Sequence, residues 1–462
     1  MDATLVMTES LEREIAVATS GPVEVAGVIL ARLVRHRSQL RLLAREVHWV
    51  PPSQYAHQSS RALSIRPEGY IHALARAEVT ATVPIWFHTH PGLESDPRSS
   101  PHDDVVDAQV ADLFRLRSGS AYYGALIAAP RDGGFTFTGF LEDAQPLRQI
   151  LGRVWIIGDR FRLVFHFGAR NTGLSSQFDR NIRAFGPATQ DTLAGLRIGI
   201  VGCGGTGSAV AEQLARLGAR RLTLIDPDVL TQSNVTRVYG SYPRLVGAPK
   251  VRVLDEHLTA IAPDASIDTV QGMITTRSIA CTLLNCDLIF GCTDDNAGRL
   301  VLSRFSSYFL TPVIDCGVLL SSGPNGLLAG IDARVTMMVP GQACLVCRNR
   351  IDLARAASEL MTPSERARRV EEGYAPALDG VEPAVVTYTT TVAALAVSEL
   401  LERLIGFGPE PRPSEVLFRG HDRELSTNVS LPRRGHYCDV AAGKVGLGLT
   451  EPLLEQTWPD SV

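Results

Sequence analysis

Lysine is nearly absent from this chain of 462 residues: among 45 basic residues only Lys250 and Lys444 are lysines, and the rest are arginine. Lysine is a compact point charge and arginine a planar fork, so a retained lysine marks a place that needs the former. Cysteine is missing from the first 202 residues, and all eight lie from Cys203 onward with a single Cys-x-x-Cys. That distribution argues against a disulfide framework and for metal chemistry in a reducing compartment. Charge of one sign is not in surplus: 45 basic against 49 acidic residues leave −4, which excludes a nucleic-acid-sized basic field. Long apolar runs are lacking too. The longest uncharged helical stretch, Pro383 to Ser398, carries four threonines and falls short of the ~20 residues of a bilayer span. Met1-Asp2-Ala3-Thr4 has no basic segment leading into an apolar core, so a cytoplasmic protein with no membrane partner is expected.

The composition that is present, 45% hydrophobic and 20% charged, suits globular domains, two to four at this length. Residues 1–145 read as a small α+β domain. Its elements are a helix at Leu11–Ala18, strands at Val23–Leu33 and Leu40–Val50, a helix from Pro67 to Val79, and a strand from Val83 to Phe87. A helix after Ser100-Pro101 and two strands about the Arg131–Gly134 turn complete it. Residues 146–174 read as a connector with a few strand-like stretches, 175–440 as a second domain and 441–462 as a loose tail. The second domain alternates strand and helix: Leu196–Val201, a glycine turn, a helix through Leu217, then Arg221–Ile225. Later come a helix at Lys250–Ile261 and strands at Asp287–Phe290 and Pro312–Asp315. This pattern predicts a Rossmann-like, doubly wound parallel sheet, so the chain as a whole is of the α/β class.

His88-Thr89-His90 closes a strand, and side chains at i and i+2 share a face, so both imidazoles can converge on one ion. Asp103, in the Ser100-x-x-Asp103 that opens a helix, offers a third ligand, and Glu24 lies upstream in Glu-x-x-Gly. Three ligands, a water and a nearby free carboxylate make an open catalytic zinc site. A chance His-x-His is common, and the added residues make the set specific. These residues resemble the JAB/MPN (JAMM) metallopeptidases over about residues 10–145, with the cytidine-deaminase-like fold of that family. The resemblance implies Zn²⁺ on His88, His90 and Asp103, Glu24 as general base and Ser100 as oxyanion stabiliser. Twelve residues separate His90 from Asp103, longer than is usual there. A loop lengthened within Leu93 to Arg98 accounts for it, and His102 or Asp104 are substitutes for Asp103.

Gly202-Cys203-Gly204-Gly205-Thr206-Gly207 leaves a strand and opens a helix, which suits a phosphate, and Asp226 after the next strand suits a ribose. Alone this fits an NAD-dependent dehydrogenase. Farther on come Asn234-x-x-Arg237, Lys250, Asp294 and Arg299; the cations suit a triphosphate and Asp294 suits Mg²⁺, none of which hydride transfer needs. The ordered series from Phe178-Asp179-Arg180 through Gly202, Gly204, Gly205 and Gly207 to Cys344-x-x-Cys347 resembles the ubiquitin-activating superfamily in its ThiF/HesA/MoeB branch, over roughly Gln177 to Gly420. The resemblance implies that Asp226 holds the ribose and that Asn234, Arg237 and Lys250 contact phosphates. It further implies Asp294 on Mg²⁺ and Arg180 reaching into the partner's site of a homodimer. A structural zinc in that family uses two Cys-x-x-Cys pairs; here the second reads His436-Tyr437-Cys438, leaving a Cys₃His site or a degenerate one. No cysteine lies between Arg348 and Tyr437, which speaks against a thioester on the usual loop, and Cys316 reads as a buried structural thiol.

Together these imply ATP-dependent adenylation of the C-terminal carboxylate of a small ubiquitin-like or sulfur-carrier protein ending in glycine. Zinc-dependent processing of the same partner accompanies it, and fusion raises the effective concentration of that tail. A peptide-adenylating enzyme of antibiotic synthesis and a non-catalytic N-terminal binding domain are the alternatives.

Overall fold

The computed structural model describes residues 3–92, 96–131, 134–145, 147–169, 176–323, 327–372 and 383–458. It divides into Met1–Asn171 with Gly446–Gly448, and Thr172–Val445 with Leu449–Val462. No helix among the described residues is long and apolar enough to cross a membrane.

The first unit contains β1 (Ala3–Thr8), α1 (Glu9–Thr19), β2 (Ala26–His36), β3 (Gln39–Trp49), β4 (Tyr55–Gln58), β5 (Leu63–Ile65) and α2 (Glu68–Thr80). It continues with β6 (Val83–Thr89), α3 (Pro101–Ser118), β7 (Tyr122–Arg131), β8 (Gly134–Asp143), β9 (Arg148–Ile157) and β10 (Arg162–Phe165). Its main sheet runs β1-β3-β2-β6-β7-β8-β9-β10, and β1 also pairs in parallel with β9, closing the sheet on itself. Strand alternation sorts the apolar residues. Ile29, Leu42, Ile85, Phe87, Phe137 and Val154 fill the inside, where Leu11 and Ile15 of α1 join them. Val28, Leu30, Trp86 and Tyr123 point the other way, under Leu74 of α2 and Phe114 of α3.

The expected α+β layering is therefore corrected to a mostly-strand barrel. Three strands decide this. β1 went unread because it is only six residues long, and Arg148–Phe165, read as connector, supplies β9 and β10. The turn at Arg131–Gly134 and the lengthened loop within Leu93–Arg98 lie partly outside the described residues.

The second unit contains α4 (Asp179–Phe185), α5 (Pro187–Gly195), β11 (Arg197–Val201), α6 (Gly205–Arg216), β12 (Arg221–Ile225), α7 (Lys250–Ile261) and β13 (Ser266–Val270). There follow α8 (Arg277–Cys281), β14 (Leu288–Gly291), α9 (Asn296–Tyr308), β15 (Val313–Ser322), β16 (Leu328–Met338), α10 (Leu353–Glu359), α11 (Pro363–Glu371), α12 (Val386–Ile405), β17 (Glu415–Arg419) and β18 (Glu424–Asn428). The sheet order is β13-β12-β11-β14-β15-β16-β17-β18, parallel through β15 and antiparallel beyond. Strand order reverses between β11 and β14, so their carboxyl ends flank a crevice. The described part of the expected loose tail, residues 441–458, is a packed segment. Leu453 and Leu454 are fully buried, Arg304 donates to the Leu454 carbonyl, and Tyr308 Oη donates to Glu455 Oε2 at 2.7 Å.

Beneath α3, the buried Asp107 carboxylate accepts a hydrogen bond from Tyr123 Oη, and burial pushes its pKa up to about 6. An acid held above its unfolded value near 3.9 favours folding fully below that pH and loses the contribution as pH rises through 6. Asp107→Asn keeps an acceptor for Tyr123 without the charge. Urea unfolding of the full chain should show a gain of about 1–3 kcal/mol at pH 8 and almost none at pH 4.

Candidate functional sites

In the second unit the crevice is a cavity of about 1000 Å³. Gly202 leaves β11 with φ of 90°, and a Cβ on Gly207 would sit 1.7 Å from the Gly202 carbonyl oxygen. The helix can turn this tightly only with glycine there. Gly204 and Gly205 line the cavity; Gly204 has nothing within 4 Å of a built Cβ, whereas Gly205 abuts Thr389 of α12. Asp226, at the end of β12, is buried and accepts from Cys203 N at 2.6 Å and Asp228 N at 2.9 Å. Burial raises its pKa, and the Lys250 ammonium 3.8 Å away opposes that rise. Lys250 Nζ also meets Asp228 Oδ2 at 2.7 Å. Arg237, Asp294 and Arg299 line the same cavity, with Asp295 capping α9 beside them.

Three of the expected residues stand elsewhere. Gly207 packs behind the turn, not in the wall. Asn234 is buried and accepts from Thr231 N at 3.0 Å, closing the Gln232–Thr236 turn that carries Arg237. It is therefore a positioning residue in this arrangement. Arg180 is exposed on α4, outside the cavity lining of its own chain. Cys316 is buried as expected and, with Cys292, contributes to the wall. Unanticipated are Arg334, Arg350, Arg355 and Glu359, delivered by β16 and the segment after it; no short motif announces them.

Cys344, Cys347, His436 and Cys438 come together, their ligand atoms all within 4.8 Å of one another. Cys347 Sγ–Cys438 Sγ and Cys344 Sγ–His436 Nδ1 are each 3.6 Å. The edge of a tetrahedral zinc–thiolate site is about 3.7 Å, so the donor set fits Zn²⁺.

In the first unit Glu24, His88, His90, Ser100 and Asp103 line one cavity of about 550 Å³. The ligand atoms of His88, His90 and Asp103 lie within 4.8 Å of one another. His88 Nε2 is buried, 3.4 Å from Asp103 Oδ1, without a hydrogen bond, which a cation would explain. Burial pulls the His88 pKa down to about 4, keeping the neutral form that ligates. His90 Nδ1 lies 2.7 Å from the Asp96 carbonyl; donation there leaves Nε2 as the ligating nitrogen. Of the alternatives, Asp104 lies 3.9 Å from Arg148, and His102 lines the same cavity from an exposed position. Ser100 Oγ accepts from Asp103 N at 3.2 Å as the cap of α3, which leaves its hydroxyl proton free to donate. Burial raises the Glu24 pKa, with His90 opposing and Asp103 reinforcing the rise.

Residues 178–440 match the model of the ThiF family. The chain belongs to the ThiF family. It is similar to the molybdopterin-synthase adenylyltransferase of Escherichia coli (strain K12), 27% identical over 239 residues, 51% of this chain and 84% of that protein. It is also similar to the SAMP-activating enzyme E1 of Haloferax volcanii, 24% identical over 37% of this chain and 62% of the relative. The ubiquitin-like modifier-activating enzyme 5 of Oryza sativa subsp. japonica is 28% identical over 46% of this chain and 48% of the relative. The chain thus spans most of the first relative but less than two thirds of the other two. Among solved structures, E. coli MccB with ATP overlaps 56% of this chain and 73% of its own at 17% identity and a TM-score of 0.44.

Gly204 and Gly207 separate function from folding in this ThiF domain. In chemical denaturation of the full chain, Gly207→Ala should cost about 3 kcal/mol or more, because backbone blocks its Cβ. Gly204→Ala, with open space before it, should cost no more than about 1 kcal/mol.

Proposed function

We propose that the second unit adenylates the C-terminal carboxylate of a small ubiquitin-like or sulfur-carrier protein ending in glycine. The observation that carries this reading is the convergence of Asp226, Arg237, Lys250 and Asp294 on one cavity at the strand reversal of a ThiF-family chain. ATP enters with its ribose at Asp226 and its phosphates against the α6 N-terminus, Arg237 and Lys250. Mg²⁺ on Asp294 would neutralise charge shared between phosphates. The tail carboxylate attacks the α-phosphorus, the bond to the bridging oxygen breaks, and pyrophosphate leaves with an acyl-adenylate behind. Lys250, tied to Asp228, is a point charge aimed at the departing oxygens. Arg180 is assigned to the partner's cavity in a homodimer. Asp294→Ala should abolish ATP–pyrophosphate exchange with a glycine-terminated carrier protein. Lys250→Ala should weaken ATP binding at least about tenfold by calorimetry. Exchange unaltered in Asp294→Ala would overturn the assignment.

The first unit reads as a zinc-dependent peptidase of JAB/MPN type acting on the same partner. Zn²⁺ on His88, His90 and Asp103 would supply a Lewis acid and an acidified water. Glu24, buried beside these ligands, takes the proton of the attacking water, and the Ser100 hydroxyl donates to the developing oxyanion. A second Zn²⁺ on the Cys₃His cluster is structural. Elemental analysis should find two zinc ions per chain. Cys438→Ser should lose one with a lowered melting temperature, and His88→Ala the other with the ThiF domain's melting transition unchanged.

A further inference from the structure

The cavity that holds Glu24, His88, His90 and Asp103 has an apolar wall besides these polar groups, and Ser60, Arg61 and Ser64 line it too. On β6, Trp86 and His88 point to the same face, two residues apart, and both line the cavity. Helix α3 repeats the device. Asp103, Val106 and Val110 follow one another at helical spacing and all line the cavity, with Phe114 one turn farther. The apolar end is fixed in shape by edge-to-face rings: Trp86–Phe114 at 6.1 Å and 89°, and Tyr70–Trp86 at 6.0 Å and 79°. Leu63, on β5, lines the cavity as well.

Two elements thus carry a metal-ligand residue and, one step inward, an apolar wall. We infer that this apolar end is a subsite for one bulky apolar side chain of Phe or Leu size, on the residue that leaves when the peptide bond is cut. The inference rests on the peptidase reading of the first unit. If the acyl side of the bond is a glycine tail, it brings no side chain, and the room beside Trp86 and Val110 falls to the departing residue. In the reaction the amide C–N bond breaks, water gives its hydroxyl to the acyl carbon, and its proton passes by way of Glu24 to the leaving amine. A buried ring is worth at least about tenfold in rate constant kcat/KM over glycine at the same position.

The test uses the full chain and three fluorogenic peptides that differ only about the cut: Gly-Gly followed by Phe, Gly-Gly followed by Gly, and Gly-Phe followed by Gly. The first should be cleaved at least about tenfold faster than the other two. Val110→Phe, which fills the pocket, should erase that preference while leaving bound zinc intact. A second readout needs no catalysis. In metal-free protein the Phe-after-Gly peptide should change tryptophan fluorescence, and Trp86→Phe or Val110→Phe should remove the change. Binding seen this way with no cleavage of any peptide upholds the pocket and defeats the peptidase reading. Equal cleavage of all three, or preference for Phe before the cut, overturns the pocket and spares the peptidase. Neither cleavage nor a fluorescence change overturns both.

Discussion

The close approach of Gly207 to the Gly202 carbonyl is the constraint on which the ThiF domain's site depends. A parallel strand delivers its chain end to the sheet's edge, and only a turn without side chains lets α6 start at once. That brings the helix N-terminus, with its unpaired N–H groups, to the crevice where strand order reverses. Asp226 follows from the same constraint. Its carboxylate accepts from Cys203 N, so the acid at the end of β12 and the glycine turn hold each other. Burying that carboxylate is costly, and Lys250 beside it offsets the cost while bonding Asp228 outside. A guanidinium is wider and forked, whereas one ammonium can lie between two carboxylates on β12's exit. The retention of a lysine at this point in an arginine-rich chain has that physical reason.

What was legible in the sequence was local. His88 and His90 were readable because a strand has period two, and Asp103 because Ser100-Pro101 announces a helix whose first turn must carry it. Gly202 to Gly207 and Asp226 were readable because turn chemistry and strand ends leave short marks. Closure of the barrel was not legible, since β1 meets β9 across more than a hundred residues, as well as the nearer β3, and six residues of β1 carry no sign of their partners. Asn234 looked like a phosphate ligand from its type and place. Only the fold shows that its side-chain oxygen accepts from Thr231 N in the turn beneath Arg237. The Cys₃His cluster stood between these cases: each half was visible, but their meeting depends on a chain path of some ninety residues.

The arginines of the cavity wall show why such distant residues gather there. Asp315, almost fully buried, meets Arg334 Nη2 at 2.9 Å and Arg299 Nε at 3.3 Å. Glu415, equally buried, meets Arg350 at 3.0 Å and stands 3.8 Å from Arg334. Burial alone would raise the Glu415 pKa, yet hydrogen bonds from Arg350 hold it below the ordinary value, so the carboxylate stays charged. Buried pairs of this kind roughly break even in stability, so their effect is geometric. The carboxylates Asp315 and Glu415 hold the guanidinium groups of Arg299, Arg334 and Arg350, which line the cavity. A free arginine would have to give up rotamer entropy each time an anion bound; these have given it up on folding. The two buried acids on β15 and β17 therefore preorganise the arginines of the cavity wall, and an anion entering the cavity meets cations already in place.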